Sequence, residues 1–144
     1  MTPSRRPLVE MPLRVRYHEC DGQGIVFNAH YQSYVDMASF EVVKALFGSY
    51  DAFLATGTDM VVAEANLRYR APCRYDDDLV VAVFLAHLGT TSIVYESEIR
   101  RGGKLTTEAK VRYVLVDPET LRKQAIPAAV RDVYAAHLPV PTAP

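Results

Sequence analysis

Apolar positions recur along the chain with two different periods, and the change from one to the other marks out a strand, a helix and then a run of hairpins. Residues 13–17, Leu-Arg-Val-Arg-Tyr, alternate apolar and charged side chains, the period of a half-buried strand. A loop containing Gly22 and Gly24 follows. Tyr31, Tyr34, Val35, Ala38, Val42, Ala45 and Leu46 then step by three and four, which predicts a helix stopped at Gly48 by a glycine cap. Phe27, Met37, Phe40, Val43 and Phe47 fill the opposite side and leave a thin polar line through Gln32 and Asp36, so this helix is expected to be wrapped by protein.

The second half of the chain supplies the wrapping. Val61, Ala63, Ala65, Leu67 and Tyr69 alternate with Val62, Glu64, Asn66, Arg68 and Arg70, one long strand broken at Ala71-Pro72. Residues 79–88 are a nearly continuous apolar run, Gly89-Thr90 turns the chain into residues 92–100, and Arg101-Gly102-Gly103-Lys104 turns it again into residues 105–116. Asp117-Pro118-Glu119-Thr120 reads as a turn, and Pro127 as the first residue of a short last helix reaching about His137. A helix followed by hairpins predicts an α+β fold, a curved antiparallel sheet around a central helix. Residues 1–10 and 139–144 are expected as tails on a single domain spanning 11–138. Free sheet edges and a second sheet face predict self-association.

Composition narrows the function. With 16 Lys and Arg against 17 Asp and Glu in 144 residues, the chain lacks the basic excess of a nucleic-acid binder. Cys20 and Cys73 make neither a disulfide framework nor a zinc-ligand pattern, which fits a reducing cytoplasm, and no metal is expected. No apolar run matches a secretory h-region or a membrane span, so neither export nor a membrane partner is expected.

The informative stretch for chemistry is residues 19–38. Asp21 lies in a glycine-bearing loop about seven residues before the helix, and Gly22 and Gly24 permit a sharp turn that brings its carboxylate back to the helix start. Free N–H groups and the positive end of the helix dipole collect there. A carboxylate beside such donors suits acyl transfer: it acts as base or nucleophile while an N–H group, best that of Asn28, holds the oxyanion. The same aspartate also reads as a simple turn former. Gly22 and Gly24 are no dinucleotide fingerprint, since Phe27 takes the third glycine position, and no Gly-x-Ser-x-Gly elbow occurs. Asp76-Asp77-Asp78 reads as a solvated turn rather than a metal site, Cys20 as an inert thiol, and Asp36 and Glu64 as lesser candidates for a second carboxylate.

The string Asp21-x-x-Gly24-Ile25-Val26-Phe27-Asn28-Ala29-x-Tyr31-x-x-Tyr34 resembles the active-site signature of the hotdog-fold acyl-CoA thioesterases of the 4-hydroxybenzoyl-CoA thioesterase type. Residues 67–81 and 109–127 resemble the family's proline-broken strand with its acidic turn, and its last long strand. The resemblance implies the hotdog fold, an acyl-CoA substrate, no cofactor, and a homodimer with its sites at the subunit interface, often a homotetramer. It implies that Asp21 matches the catalytic aspartate, as nucleophile or general base, and Asn28 the oxyanion donor. Some branches carry His where Asn28 stands and Asn where His30 stands; His30 here also reads as a core histidine. Gly24, Ile25, Val26, Phe27, Tyr31 and Tyr34 are expected around the substrate. Arg100, Arg101 and Lys104 at a glycine hairpin are the candidates for the CoA phosphates, against the reading of a solvated tip. The rival is a non-catalytic module that binds acyl-CoA or acyl-carrier protein in the same pocket.

Overall fold

Strand alternation translates into one antiparallel sheet in the computed structural model, which describes residues 5–138. The elements in chain order are β1 (Val9–Arg14), α1 (His30–Phe47), α2 (Tyr50–Leu54), β2 (Asp59–Tyr69), β3 (Asp78–Leu88), β4 (Ser92–Arg101), β5 (Lys104–Val116) and α3 (Ala128–Ala135). The strands lie in the order β1-β3-β4-β5-β2, so the two edges are the strands that flank α1 and α2 in sequence. Two-residue Gly102-Gly103 joins β4 to β5, with Gly102 at φ +59°, a left-handed value that glycine adopts without strain. One sheet face carries Val81, Val83, Ile99, Tyr95, Val111 and Leu115 and packs on α1 to form the core.

Four expectations need correction. The first strand starts at Val9 and ends at Arg14, so it reaches into the expected tail: the Leu8 N–H donates to the Val83 carbonyl, and Arg5 pairs with Glu96. Pro12 obscures this strand in the sequence, but β1 is an edge and needs no second ladder there. Residues 1–4 and the expected tail at 139–144 lie outside the described residues. Second, α1 is wrapped on one flank only. Tyr34, Val35, Ala38 and Val42 are buried, whereas Met37 and Phe40 stay 48% and 47% exposed, because a five-stranded sheet closes over one side of the helix. Third, Pro127 caps α3 from outside, and the helix ends at Ala135. Fourth, β2 carries a bulge at residue 63 that interrupts its strict alternation.

Two short elements escaped the periodicity. A single 3₁₀ turn covers Tyr17–Glu19, and α2 is one turn whose only signal is its cap, Ser49 Oγ accepting from the Ala52 N–H at 3.0 Å. Gly48, at φ +91°, ends α1 as expected.

The core is rich in tyrosine. Tyr95 and Tyr134 share a 2.6 Å hydroxyl–hydroxyl hydrogen bond under α3, and the Tyr113 hydroxyl donates to Ser39 Oγ at 2.7 Å. Burial raises all three phenols above their ordinary pKa, Tyr134 to about 12. A phenol held protonated by the fold contributes stability in full below its unfolded pKa near 10, and that contribution fades as pH climbs toward the folded value. The thermal midpoint is therefore expected to fall between pH 10 and about 12, and more gently in Tyr134→Phe. Equal slopes in the two proteins would contradict the assignment.

Candidate active site

Backbone hydrogen bonds close residues 19–27 into a small hairpin. The Phe27 N–H donates to the Glu19 carbonyl (2.9 Å), the Asp21 N–H to the Ile25 carbonyl (2.9 Å), and the Gly24 N–H to the Asp21 carbonyl (3.0 Å). The reversal occurs at Gly24, whose φ of +76° explains the residue type. This hairpin is fastened to the segment after β2: the Val26 N–H donates to the Cys73 carbonyl at 2.8 Å, and Ile25 bridges Arg74. Asp21 is half-buried, and its Oδ1 accepts the Gln23 N–H at 2.8 Å, as in an Asx turn. Its Oδ2 has no partner among the described residues. The turn thus engages one oxygen of the carboxylate and leaves the other open.

The chain enters α1 through a second turn, in which the Phe27 carbonyl accepts the His30 N–H at 2.9 Å. Asn28 is the second residue of that turn. Its carbonyl accepts the Tyr31 N–H and the Tyr69 hydroxyl, both at 3.3 Å, while its own N–H finds no acceptor among the described residues. No side chain caps the helix at Ala29. An open donor therefore stands at the positive end of α1, just beyond the hairpin that carries Asp21.

The aromatic side chains expected near the substrate divide into two groups. Phe27 is 45% exposed and meets the His30 ring edge-on at 5.9 Å; Val26 is buried and Ile25 half-buried. Tyr31 and Tyr34 belong to the core of the single chain. The Tyr31 hydroxyl accepts the Cys73 N–H at 3.3 Å, and the Tyr34 hydroxyl donates to Glu19 Oε1 at 2.9 Å. Burial raises both phenols, aided in Tyr34 by the Glu19 carboxylate. Tyr34 thus ties the hairpin to the helix, and Tyr31 ties the segment after β2 to it. Glu19 and Tyr69 were missed by sequence reasoning; the only signal was the position of Glu19, two residues before Asp21. His30 is half-buried, without a side-chain hydrogen bond among the described residues.

At the β4–β5 hairpin, Arg100 is engaged by Glu98 (3.1 Å) and the Gly103 carbonyl (3.3 Å). Arg101 reaches the Pro72 carbonyl (2.7 Å) and Asp77 (3.4 Å), which docks the hairpin tip on the 72–77 segment. Lys104 is exposed with no carboxylate partner among the described residues. Asp76 and Asp78 both pair with Arg14 and Asp77 pairs with Arg101, and the described residues hold no cluster of metal-ligand type. Glu64 is exposed and pairs with Arg112. Asp36 lines a cavity of about 120 Å³ with Ser39, Phe40, Tyr50 and Asp59.

Comparison with known proteins follows the same lines. The family model of the thioesterase superfamily matches residues 23–108. The acyl-CoA thioester hydrolase YbgC of Escherichia coli is 31% identical over 124 residues, 85% of this chain and 92% of that protein. Among solved structures, the hypothetical protein TT1821 of Thermus thermophilus superposes with a TM-score of 0.83 at 25% identity, over 90% of this chain and 98% of that one. The DHNA-CoA thioesterase of Staphylococcus aureus gives 0.80 at 20% identity, over 88% of each chain. The architecture is the hotdog fold.

Proposed function

Because this chain belongs to the thioesterase superfamily and is a thioester hydrolase, we propose that it cleaves acyl-CoA with the Asp21 carboxylate and the Asn28 N–H as its working groups. What carries this reading is the pairing of a carboxylate that has one free oxygen with a free N–H at the adjoining helix start. As general base, Asp21 takes a proton from water while the water oxygen bonds to the thioester carbon. As nucleophile, Asp21 forms a mixed anhydride that water then opens. In either course the carbonyl oxygen becomes an oxyanion facing the Asn28 N–H, the C–S bond breaks, and CoA thiolate leaves and is protonated. A thiol with a pKa of roughly 8.5, by analogy with cysteine, is a good leaving group and needs no strong general acid.

We place the chain in the 4-hydroxybenzoyl-CoA thioesterase type on the strength of its aspartate loop before the helix, and in the cytoplasm on its two free cysteines. We also propose that it assembles as a homodimer, or a homotetramer of two such dimers. Edge strand β2 exposes Val62, on the face it shares with Tyr113, beside the open flank of α1, where Met37 and Phe40 wait for cover. Acyl-CoA is its substrate in this reading; nucleic acid and membrane are not among its partners, and it needs no cofactor. Release of free thiol from a panel of acyl-CoA thioesters by the purified protein tests the proposal. Turnover above the water rate for at least one thioester is expected. Saturable binding with no thiol release from any of them would favour the non-catalytic module instead.

A further inference from the structure

An enzyme that acts on CoA thioesters has to hold a polyanionic nucleotide, and two cations of the glycine hairpin are already committed, Arg100 to Glu98 and Arg101 to Asp77. Free cations and exposed aromatic surface coincide at a different place. Tyr17 is 80% exposed and Tyr75 is 59% exposed, yet the two rings meet edge to face, with centroids 5.9 Å apart and planes at 87°. Each is preceded by an exposed arginine, Arg16 and Arg74, that has no carboxylate partner among the described residues. Of the nearby acids, Asp76 and Asp78 go to Arg14, Asp77 to Arg101 and the Arg74 N–H, and Glu19 to the Arg16 N–H and the Tyr34 hydroxyl.

The frame beneath this pair is rigid. Reciprocal hydrogen bonds, Val15 N–H to the Asp77 carbonyl and Asp76 N–H to the Val15 carbonyl, both 3.0 Å, hold the two segments side by side. Arg16 also lines an open groove of about 590 Å³ that runs past Leu13 and Val80 to Gly102 at the hairpin tip, two residues from Lys104. On its other side, Arg74 bridges Ile25 of the hairpin that carries Asp21. Aromatic pair, free arginines and candidate catalytic loop therefore share one end of the sheet.

We propose that Tyr17 and Tyr75, with Arg16 and Arg74, form the seat for the nucleotide end of CoA. This rests on the acyl-CoA reading above. Adenine stacks on one ring and abuts the edge of the other, and the phosphates take charge-assisted hydrogen bonds from the two guanidinium groups. The site sets a preference for CoA over carrier-protein thioesters, which present the same pantetheine arm without adenine or the 3′-phosphate.

The test uses the full chain and the double variants Tyr17→Ala/Tyr75→Ala and Arg16→Gln/Arg74→Gln. Calorimetry with CoA itself reads binding without catalysis, and the ratio of KM for an acyl-CoA to KM for the matching acyl-pantetheine reads it during turnover. Both the CoA Kd and that ratio are expected to rise about tenfold in each variant, in line with the loss of a base–aromatic stack or a charged phosphate contact. A CoA Kd within twofold of wild type overturns the proposal, as does an equal rise in KM for both substrates. A loss of oligomeric state with CoA affinity unchanged overturns it too, by assigning the pair to a contact between copies. If the wild type releases no thiol, the hydrolase mechanism fails, while the shift in CoA Kd still decides the nucleotide seat.

Discussion

Asp21→Asn is expected to lower kcat by about 10²- to 10⁴-fold, the span of a positioned acid–base group, while leaving the fold in place. The reason is the division of labour within the side chain. Oδ1 accepts the Gln23 N–H and shapes the hairpin, and an asparagine carbonyl oxygen can take over that bond. What asparagine lacks is the negative charge on the second oxygen, the one the proposed chemistry needs. Thiol release and the thermal midpoint of the same preparation separate the two effects: activity collapses, stability does not. Undiminished turnover in this variant would remove Asp21 from the mechanism, and a large loss of stability would mean the residue serves the turn alone.

The second large effect is expected from Asn28→Pro. Asn28 occupies the second position of the Phe27 to His30 turn, where proline's fixed φ is favoured, and its N–H supports no structural hydrogen bond among the described residues. Proline therefore deletes the proposed oxyanion donor with little demand on the fold. A loss of about 10²- to 10³-fold in kcat is expected, the cost measured for a missing oxyanion contact. Asn28→Ala keeps the N–H and isolates the side chain, and is expected to retain far more activity than the proline variant. Equal losses in the two would shift the role from backbone to amide.

Much of this architecture could be read from residue order, and the failures have physical causes. Alternation in β2 and the apolar run of β3 were legible because each strand has its own period and its own turn residues, Pro72 and Gly102-Gly103 among them. β1 begins four residues before the alternation that starts at Leu13; Pro12 cannot donate to a ladder, and only the sheet order, which makes β1 an edge, explains why it is tolerated. The all-round apolar character of α1 predicts complete wrapping. Met37 and Phe40 instead mark a flank that a single chain leaves open, and periodicity cannot tell a covering sheet from a covering partner.

At the site, the glycine loop before the helix was visible, and so was the need for a turn. Other features depended on contacts between segments far apart in sequence. Cys73 and Arg74 fasten the hairpin, and Tyr69 reaches the Asn28 carbonyl from a strand 41 positions away. Arg101 shows the converse. A cation at a hairpin tip looks free in sequence, but the fold brings Asp77 and the Pro72 carbonyl to it.

In the proposed mechanism one thioester carbonyl sits between the residue 21 side chain and the start of α1. A crystal structure of the slow Asp21→Asn protein with an unhydrolysed acyl-CoA bound measures this directly. The thioester oxygen is expected within about 2.7–3.1 Å of the Asn28 nitrogen, with the residue 21 side chain on the same carbonyl carbon directly or through one water. A thioester bound elsewhere, or one whose oxygen faces other donors with residue 21 out of reach, would contradict it.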